Sequence, residues 1–206
     1  MTSISEFTYS LASKSPTPGG GGASALSGAL ASALGSMVCE LTKGKKKYKA
    51  FEPDIVRISE TIRSIMEDLL KCIDEDAEAF APLSKAYSIS ADDPDRAAVL
   101  EKCLIDAARV PFKILTFSCR IVPLLEELEE KGSKLVISDV ASSAALCRAA
   151  IQAAAVNVYI NTKLMTNREF ANKLNDDVRK LTEEHTSRVQ SVYDRITGGI
   201  ANWQQS

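Results

Sequence analysis

Apolar residues recur every three or four positions along most of the chain, which is the spacing of one face of an α-helix. No segment alternates apolar and polar residues cleanly enough to predict a β-strand. The pattern therefore predicts an all-α fold, an up-and-down bundle of about six helices with some kinked by proline. We expect a single domain over residues 1–206.

Capping and stop signals predict the helix boundaries. Ser3, followed by Glu6, has the spacing of a capping box, so a short first helix should begin there. The other helices are expected over about 23–43, 54–87, 94–130, 138–165 and 166–196. Pro111 and Pro123 should kink or split the fourth helix, and Gly198-Gly199 should end the last one.

The third predicted helix carries an apolar seam with one anomalous position. The seam consists of Ile55, Ile58, Ile62, Ile65, Leu69, Cys72, Asp76, Ala79 and Leu83. A carboxyl group desolvated among apolar neighbours has a raised pKa, which suits a general acid at neutral pH. A purely structural aspartate, which caps a neighbouring backbone or pairs with a lysine, fits the same pattern.

Composition narrows the possible chemistry. With 206 residues, 45% of them apolar, the chain can bury a core without a disulfide or a metal. One histidine, His185, cannot build a multi-histidine zinc site, and we expect it to be a packing residue. Five cysteines without a Cys-x-x-Cys pair indicate core residues in a reducing compartment, so we expect a cytoplasmic protein.

Charge and hydropathy argue against two classes of partner. The net charge of −2 provides no overall field for nucleic acid or an anionic membrane. The uncharged run 15–39 opens with prolines and glycines and carries several serines, so a membrane span is not expected. The N-terminus lacks the basic flank and apolar core of a secretory signal.

Two short segments could bind a ligand. The glycine-rich run Pro16–Gly22, delivered to a helix start, suits an anion or a flat polar ligand, although a flexible connector fits equally. The run Lys43–Lys49 contains five lysines and is typical of a solvated helix end. Its functional interpretation is a docking strip for a polyanionic substrate tail.

The fifth predicted helix contributes further polar candidates. Asn157 and Asn161 stand one helical turn apart, and Asp139 lies near the beginning of that helix. Amide side chains both donate and accept hydrogen bonds, so they suit a pterin-like edge. They suit the tying together of helices equally well.

Six motifs occur in order: Pro16–Gly22, Gly35–Val38, Leu41–Gly44 with Tyr48, Asp74–Phe80, Ser138–Asp139 and Asn157–Asn161. Together they resemble the cyclodeaminase domain of the formiminotransferase-cyclodeaminase family, which includes stand-alone methenyltetrahydrofolate cyclohydrolases. The resemblance covers essentially the whole chain. It implies a homodimeric helical bundle with a tetrahydrofolate derivative as substrate, bound near a subunit interface, and no metal.

The resemblance also implies roles for individual residues. Asp76 corresponds to the family's proton donor, and the lysines would hold the carboxylates of a polyglutamate tail. The implied substrate-binding residues are Pro18, Gly19, Gly20, Gly21, Lys45, Lys46, Lys47, Tyr48, Asp74, Asp139, Asn157 and Asn161.

The implied reaction converts 5-formiminotetrahydrofolate to 5,10-methenyltetrahydrofolate with release of ammonia. The alternative is a methenyltetrahydrofolate cyclohydrolase that forms 10-formyltetrahydrofolate, and the motifs do not separate the two. A more remote alternative is a non-enzymatic helical dimer that serves as a scaffold.

Overall fold

The computed structural model describes residues 3–201, and this range contains six α-helices and no β-strand. The helices are α1 (Ile4–Leu11), α2 (Gly20–Glu40), α3 (Glu52–Ala86), α4 (Arg96–Lys131), α5 (Ile137–Leu164) and α6 (Arg168–Ala201). Short 3-10 helices, Lys46–Phe51 and Lys134–Val136, precede α3 and α5. The predicted all-α fold of about six helices is confirmed.

Helix α4 lies at the centre and contacts α2, α3, α5 and α6. Helix α2 packs between α3 and α5 and runs antiparallel to both. Against α5, the Ser27 hydroxyl donates to the Leu146 carbonyl at 3.0 Å and the Ser143 hydroxyl to the Ala31 carbonyl at 2.7 Å. Residues later in α2 therefore contact residues earlier in α5, so the two helices are antiparallel, as the up-and-down order requires.

Small residues let α2 approach α3 closely. A Cβ atom on Gly28 would lie 3.0 Å from the Leu69 side chain, and one on Gly35 would overlap the end of Ile62. Both partners belong to the predicted seam of α3, whose isoleucines, Leu69 and Cys72 are all fully buried. The seam prediction is therefore confirmed, and Asp76 is its half-buried polar member.

Three predicted boundaries differ from the structure. Helix α4 is not split, because Pro111 and Pro123 lie inside one helix over Arg96–Lys131. Helix α6 continues through Gly198 and Gly199 to Ala201, so the expectation that these glycines end it was wrong. Both glycines have open space around their Cα atoms and retain helical geometry. Helix α2 ends at Glu40, three residues earlier than expected.

Proline in α4 leaves a carbonyl group without its usual helical donor. Pro111 has no N–H, so the Ala107 carbonyl cannot receive the bond that residue 111 would ordinarily donate. The Asn161 side chain of α5 donates to this carbonyl at 3.3 Å. The interruption in α4 is therefore compensated by a side chain of the neighbouring helix.

Helices α2 and α5 are long and apolar enough to cross a membrane by length and composition. In the bundle, 56% and 44% of their most apolar windows are buried against other helices. Core helices of a bundle meet the same criterion of length and hydropathy. The five cysteines are free, and four of them are buried, which confirms their prediction as core residues.

Candidate active site

Asp76 extends from α3 towards the first turn of α2. Its Oδ2 atom accepts a hydrogen bond from the Gly22 N–H at 3.0 Å, so the carboxyl group caps one of the free amides at the start of α2. Burial raises the pKa of Asp76, and the Gly22 hydrogen bond opposes this shift only in part. Asp76 therefore caps the start of α2, as the structural interpretation predicts, and it has the raised pKa that the acid-base interpretation requires.

The glycine run belongs to α2 itself, which corrects the prediction of a loop that ends at Gly22. Gly19 is the N-cap of α2, and Gly20, Gly21 and Gly22 form the first turn. A Cβ atom on Gly21 would overlap all three atoms of the Asp76 carboxyl group, and one on Gly20 would lie 2.9 Å from both polar atoms of the Asn157 amide. These glycines leave the space in which Asp76 and Asn157 approach the helix.

The two asparagines of α5 use their NH₂ groups inside the fold. Asn157 Nδ2 donates to the Ala153 carbonyl at 2.8 Å. Asn161 Nδ2 donates to the Asn157 carbonyl at 2.9 Å, besides its bond to Ala107. Within residues 3–201 neither side-chain oxygen accepts a hydrogen bond, so both remain acceptors.

The other predicted binding residues form a second group at the opposite end of α2. Lys45 Nζ donates to the Ser133 hydroxyl at 3.0 Å, and the buried Tyr48 hydroxyl accepts from the Lys134 N–H at 2.9 Å. The group consists of Lys45, Lys46, Lys47, Tyr48 and Asp139. Since α2 has 21 residues, it separates the lysines and Tyr48 of this group from Asp76 by about 30 Å within one chain.

An apolar groove of about 620 Å³ lies beside the first turn of α2, between α1, α2 and α3. Two of the predicted residues, Pro18 and the exposed Asp74, also line it. Gly22 separates the groove from Asp76, because its Cα faces Pro18 and Phe7 while its N–H binds the carboxylate. We therefore define the candidate site as Asp76, Gly20–Gly22, Asn157 and Asn161, with the groove as its neighbour.

Sequence reasoning missed the groove, although a signal for it exists. A second apolar stripe runs along α3 beside the buried seam, at Met66, Leu70, Ile73 and Ala77, with spacings of four, three and four. Such a stripe is partly buried when only one further helix covers it. Here α1 lines the groove opposite this stripe, and none of the residues of α1 is itself buried.

Other candidate groups do not join this site. His185 lies on α6, where its Nδ1 atom is 3.0 Å from the Leu181 carbonyl, as expected for a packing histidine. Among the residues that the structure describes, no cluster of three or more histidine, cysteine, aspartate or glutamate side chains could hold a metal ion.

Comparisons with known proteins agree on one family. A family model described as formiminotransferase-cyclodeaminase matches residues 3–180. The chain is 36% identical over 201 residues to the methenyltetrahydrofolate cyclohydrolase of Methylorubrum extorquens, covering 96% of this chain and 97% of that protein. It is 30% identical to the formimidoyltransferase-cyclodeaminase of Mus musculus over 93% of this chain, but spans only 36% of that longer protein.

A solved structure gives the same result for the fold. The crystal structure of formiminotetrahydrofolate cyclodeaminase from Thermotoga maritima superimposes with a TM-score of 0.84 at 32% sequence identity. The match covers 97% of this chain and 98% of that one.

Proposed function

Because the chain belongs to the formiminotransferase-cyclodeaminase family, we propose that it converts 5-formiminotetrahydrofolate to 5,10-methenyltetrahydrofolate with release of ammonia. The observation that carries this proposal is the half-buried Asp76, because burial raises its pKa above the ordinary value, which is the direction that a proton donor requires. The two named relatives that match over nearly their whole length are both folate enzymes.

The reaction needs one bond formed, one bond broken and one proton supplied. The arm nitrogen of the folate attacks the formimino carbon and closes a five-membered ring, while its own proton passes to the formimino nitrogen. Asp76 then donates a proton to that nitrogen, so that the carbon–nitrogen bond breaks and ammonia leaves instead of amide ion. Since both reacting groups belong to one molecule, much of the remaining task is positioning.

The second candidate function is methenyltetrahydrofolate cyclohydrolase. The full-length match to the Methylorubrum extorquens protein, which bears that name, favours it specifically. In this reaction water attacks the methenyl carbon, and the product is 10-formyltetrahydrofolate. The same carboxyl group would exchange protons with the ring nitrogen and the water.

One spectrophotometric experiment separates these functions. Methenyltetrahydrofolate formation and decay are followed with purified protein, once from 5-formiminotetrahydrofolate and once from methenyltetrahydrofolate. We expect formation with ammonia release in the first assay, whereas accelerated decay alone would support the cyclohydrolase. Activity in neither assay, together with no tetrahydrofolate-dependent shift in Tm, would support a scaffold and contradict both enzyme functions.

We further propose a homodimer formed through the outer side of α2 and α5, here called the α2/α5 face. Between residues 20 and 39 α2 has no charged side chain, and α5 has only Arg148 between 140 and 162. The exposed apolar side chains of this face are Leu30, Met37, Leu41, Val156, Ile160 and Leu164. Exposed apolar side chains on two helices that are nearly free of charge suit self-association about a two-fold axis.

A two-fold axis perpendicular to α2 would also complete the site. It would place the lysine group of one copy beside Asp76 of the other, although about 30 Å separates the two groups within one chain. Lys46 and Lys47, which are exposed, would then be available for the carboxylates of a polyglutamate tail.

The oligomeric state tests this arrangement. Light scattering on the unmodified protein should give the mass of two chains, and Val156→Glu should shift it to one chain. The matched control is Val99→Glu, because Val99 is an exposed valine on α4 outside the α2/α5 face. A monomeric wild type, or a dimer unaffected by Val156→Glu, would contradict the proposed interface.

We place the protein in a reducing compartment such as the cytoplasm. The five unpaired cysteines support this proposal. Fractionation of the source cells would test it, and recovery of the protein with secreted proteins would contradict it.

A further inference from the structure

We propose that the side-chain oxygen of Asn157 accepts a hydrogen bond from an N–H of the formimino nitrogen, next to Asp76. This inference rests on the proposed cyclodeaminase function and deepens it. It identifies a residue that distinguishes the formimino substrate from the methenyl product.

The hydrogen bonds of Asn157 fix which end of its amide is free. Its Nδ2 atom lies 2.8 Å from the Ala153 carbonyl, and only the NH₂ end of an amide can donate to a carbonyl. The side-chain oxygen is therefore the free end, and it accepts no hydrogen bond within residues 3–201. Within this range, two side-chain oxygens are fully buried without a hydrogen-bond partner, and they belong to Ser118 and Thr182. The Asn157 oxygen is not one of them, so it is partly exposed, and solvent or a ligand can reach it.

The first turn of α2 places this acceptor beside the acid. The Cα–H side of Gly20 faces the Asn157 amide, and that of Gly21 faces the Asp76 carboxyl group. Consecutive Cα atoms are about 3.8 Å apart, so the two side chains approach neighbouring positions of one helical turn. We therefore place the substrate nitrogen that receives the proton of Asp76 beside this turn, where the Asn157 oxygen also lies.

Asn161 acts as a positioning residue for this part of α5. Its amide NH₂ group bonds the Asn157 carbonyl at 2.9 Å and the Ala107 carbonyl of α4 at 3.3 Å. The second carbonyl is free to accept because Pro111 lacks an N–H. Because Pro111 leaves the Ala107 carbonyl free, the hydrogen bond from Asn161 connects α5 to α4 one helical turn beyond Asn157.

The reaction chemistry explains why a neutral acceptor belongs here. The formimino nitrogen carries N–H throughout the reaction, and it becomes more positive as Asp76 protonates it. An oxygen that accepts one of these N–H groups stabilises the developing charge. The reacting carbon of methenyltetrahydrofolate is bonded to two ring nitrogens without N–H, so the product gains nothing from this contact.

The test compares substrate turnover with product binding in the variant Asn157→Leu, which keeps the approximate shape and removes the acceptor. We expect kcat/KM for ammonia release to fall about 10- to 100-fold, as for the loss of one buried hydrogen bond to a charged group. The inhibition constant of methenyltetrahydrofolate should change less than about threefold. Asn172→Leu is the matched control, because Asn172 is an exposed asparagine on α6, outside the α2/α5 face, and both quantities should stay at wild-type values.

The second variant, Gly20→Ala, keeps the test decisive if Asn157→Leu does not fold. The added methyl group displaces the Asn157 amide and should give the same unequal loss. Equal losses in turnover and product binding, or no loss in either, would overturn the role of Asn157 while the proposed function stands. A wild-type protein that releases no ammonia at all would instead contradict the cyclodeaminase function itself.

Discussion

At Asp76 two opposing effects act on one carboxyl group. Burial disfavours its charged form, whereas the Gly22 N–H favours that form, and burial is the larger effect. The pKa of Asp76 therefore lies above its ordinary value, while one of its oxygens is held in place at 3.0 Å from the backbone. The raised pKa favours the protonated form of Asp76, and the hydrogen bond fixes the orientation of its carboxyl group; both effects favour a proton donor.

The raised pKa of Asp76 predicts a pH-dependent effect of Asp76→Asn on stability. A raised folded-state pKa stabilises the fold at low pH, and this contribution is lost as the pH rises through the folded pKa. At pH 8 the charged, half-buried carboxylate is therefore unfavourable, and the variant should have a higher Tm than wild type. The difference should shrink towards zero below about pH 4, where the unfolded-state carboxyl group is protonated too. Thermal unfolding from pH 3.5 to 8 measures this, and a pH-independent difference would be inconsistent with the raised pKa.

Gly21 should be required for the position of Asp76. In Gly21→Ala the new methyl group would overlap the carboxyl group, which must move away from the Gly22 N–H. We expect kcat to fall about 10- to 100-fold, a substantial part of the usual contribution of a general acid. Gly198→Ala in α6 is the control, since nothing lies within 4 Å of that position, and it should retain nearly full activity. If Gly21→Ala and its control were equally active, the reaction would not need the space that Gly21 leaves for Asp76.

At the scale of the helices, the approach of α2 to its neighbours determines the site. Gly28 and Gly35 face Leu69 and Ile62 of α3. On the other side, the hydroxyl groups of Ser27 and Ser143 donate to backbone carbonyls across the interface between α2 and α5. Side-chain bulk on the glycine side of α2 would separate it from α3. The same separation would move Gly22 away from Asp76.

Gly35→Val should therefore destabilise the bundle. The added methyl groups would overpack the contact with Ile62, Leu125 and Leu128, and the free energy of unfolding should fall by about 1–3 kcal/mol. The matched control is Gly198→Val in α6, where open space surrounds the Cα, and its stability should not fall. Denaturant unfolding of both variants measures the difference, and similar stabilities would contradict the close packing.

How far the sequence predicts an element depends on where the determining contacts lie. The seam of α3 was predictable because its period follows from local spacing, and Asp76 was evident as the one carboxyl in that seam. The end of α6 was not predictable from Gly198 and Gly199, because a glycine pair stops a helix only when the following chain turns away. The role of Gly20 and Gly21 was also hidden, since their partners come from α3 and α5, which are distant in sequence.

At the scale of the whole molecule, the predicted binding residues divide into two groups. Pro18, Gly19, Gly20, Gly21, Asp74, Asn157 and Asn161 lie at the Asp76 end of α2, whereas the lysines, Tyr48 and Asp139 lie at its other end. A linear sequence gives no distance between such groups, because the antiparallel order of the helices decides it. In the proposed homodimer, the partner would bring its second group to the first group of this chain.

The central claim is that Asp76 supplies the proton for ammonia release, and one comparison of variants tests it most directly. Ammonia release and folate affinity are measured for Asp76→Asn, with Glu78→Gln as the control because Glu78 is an exposed carboxylate on the same helix. We predict that Asp76→Asn lowers kcat by about 10²- to 10⁴-fold while folate affinity and helicity stay near wild type, and that Glu78→Gln changes none of them. Unchanged turnover in a folded Asp76→Asn protein would contradict the account.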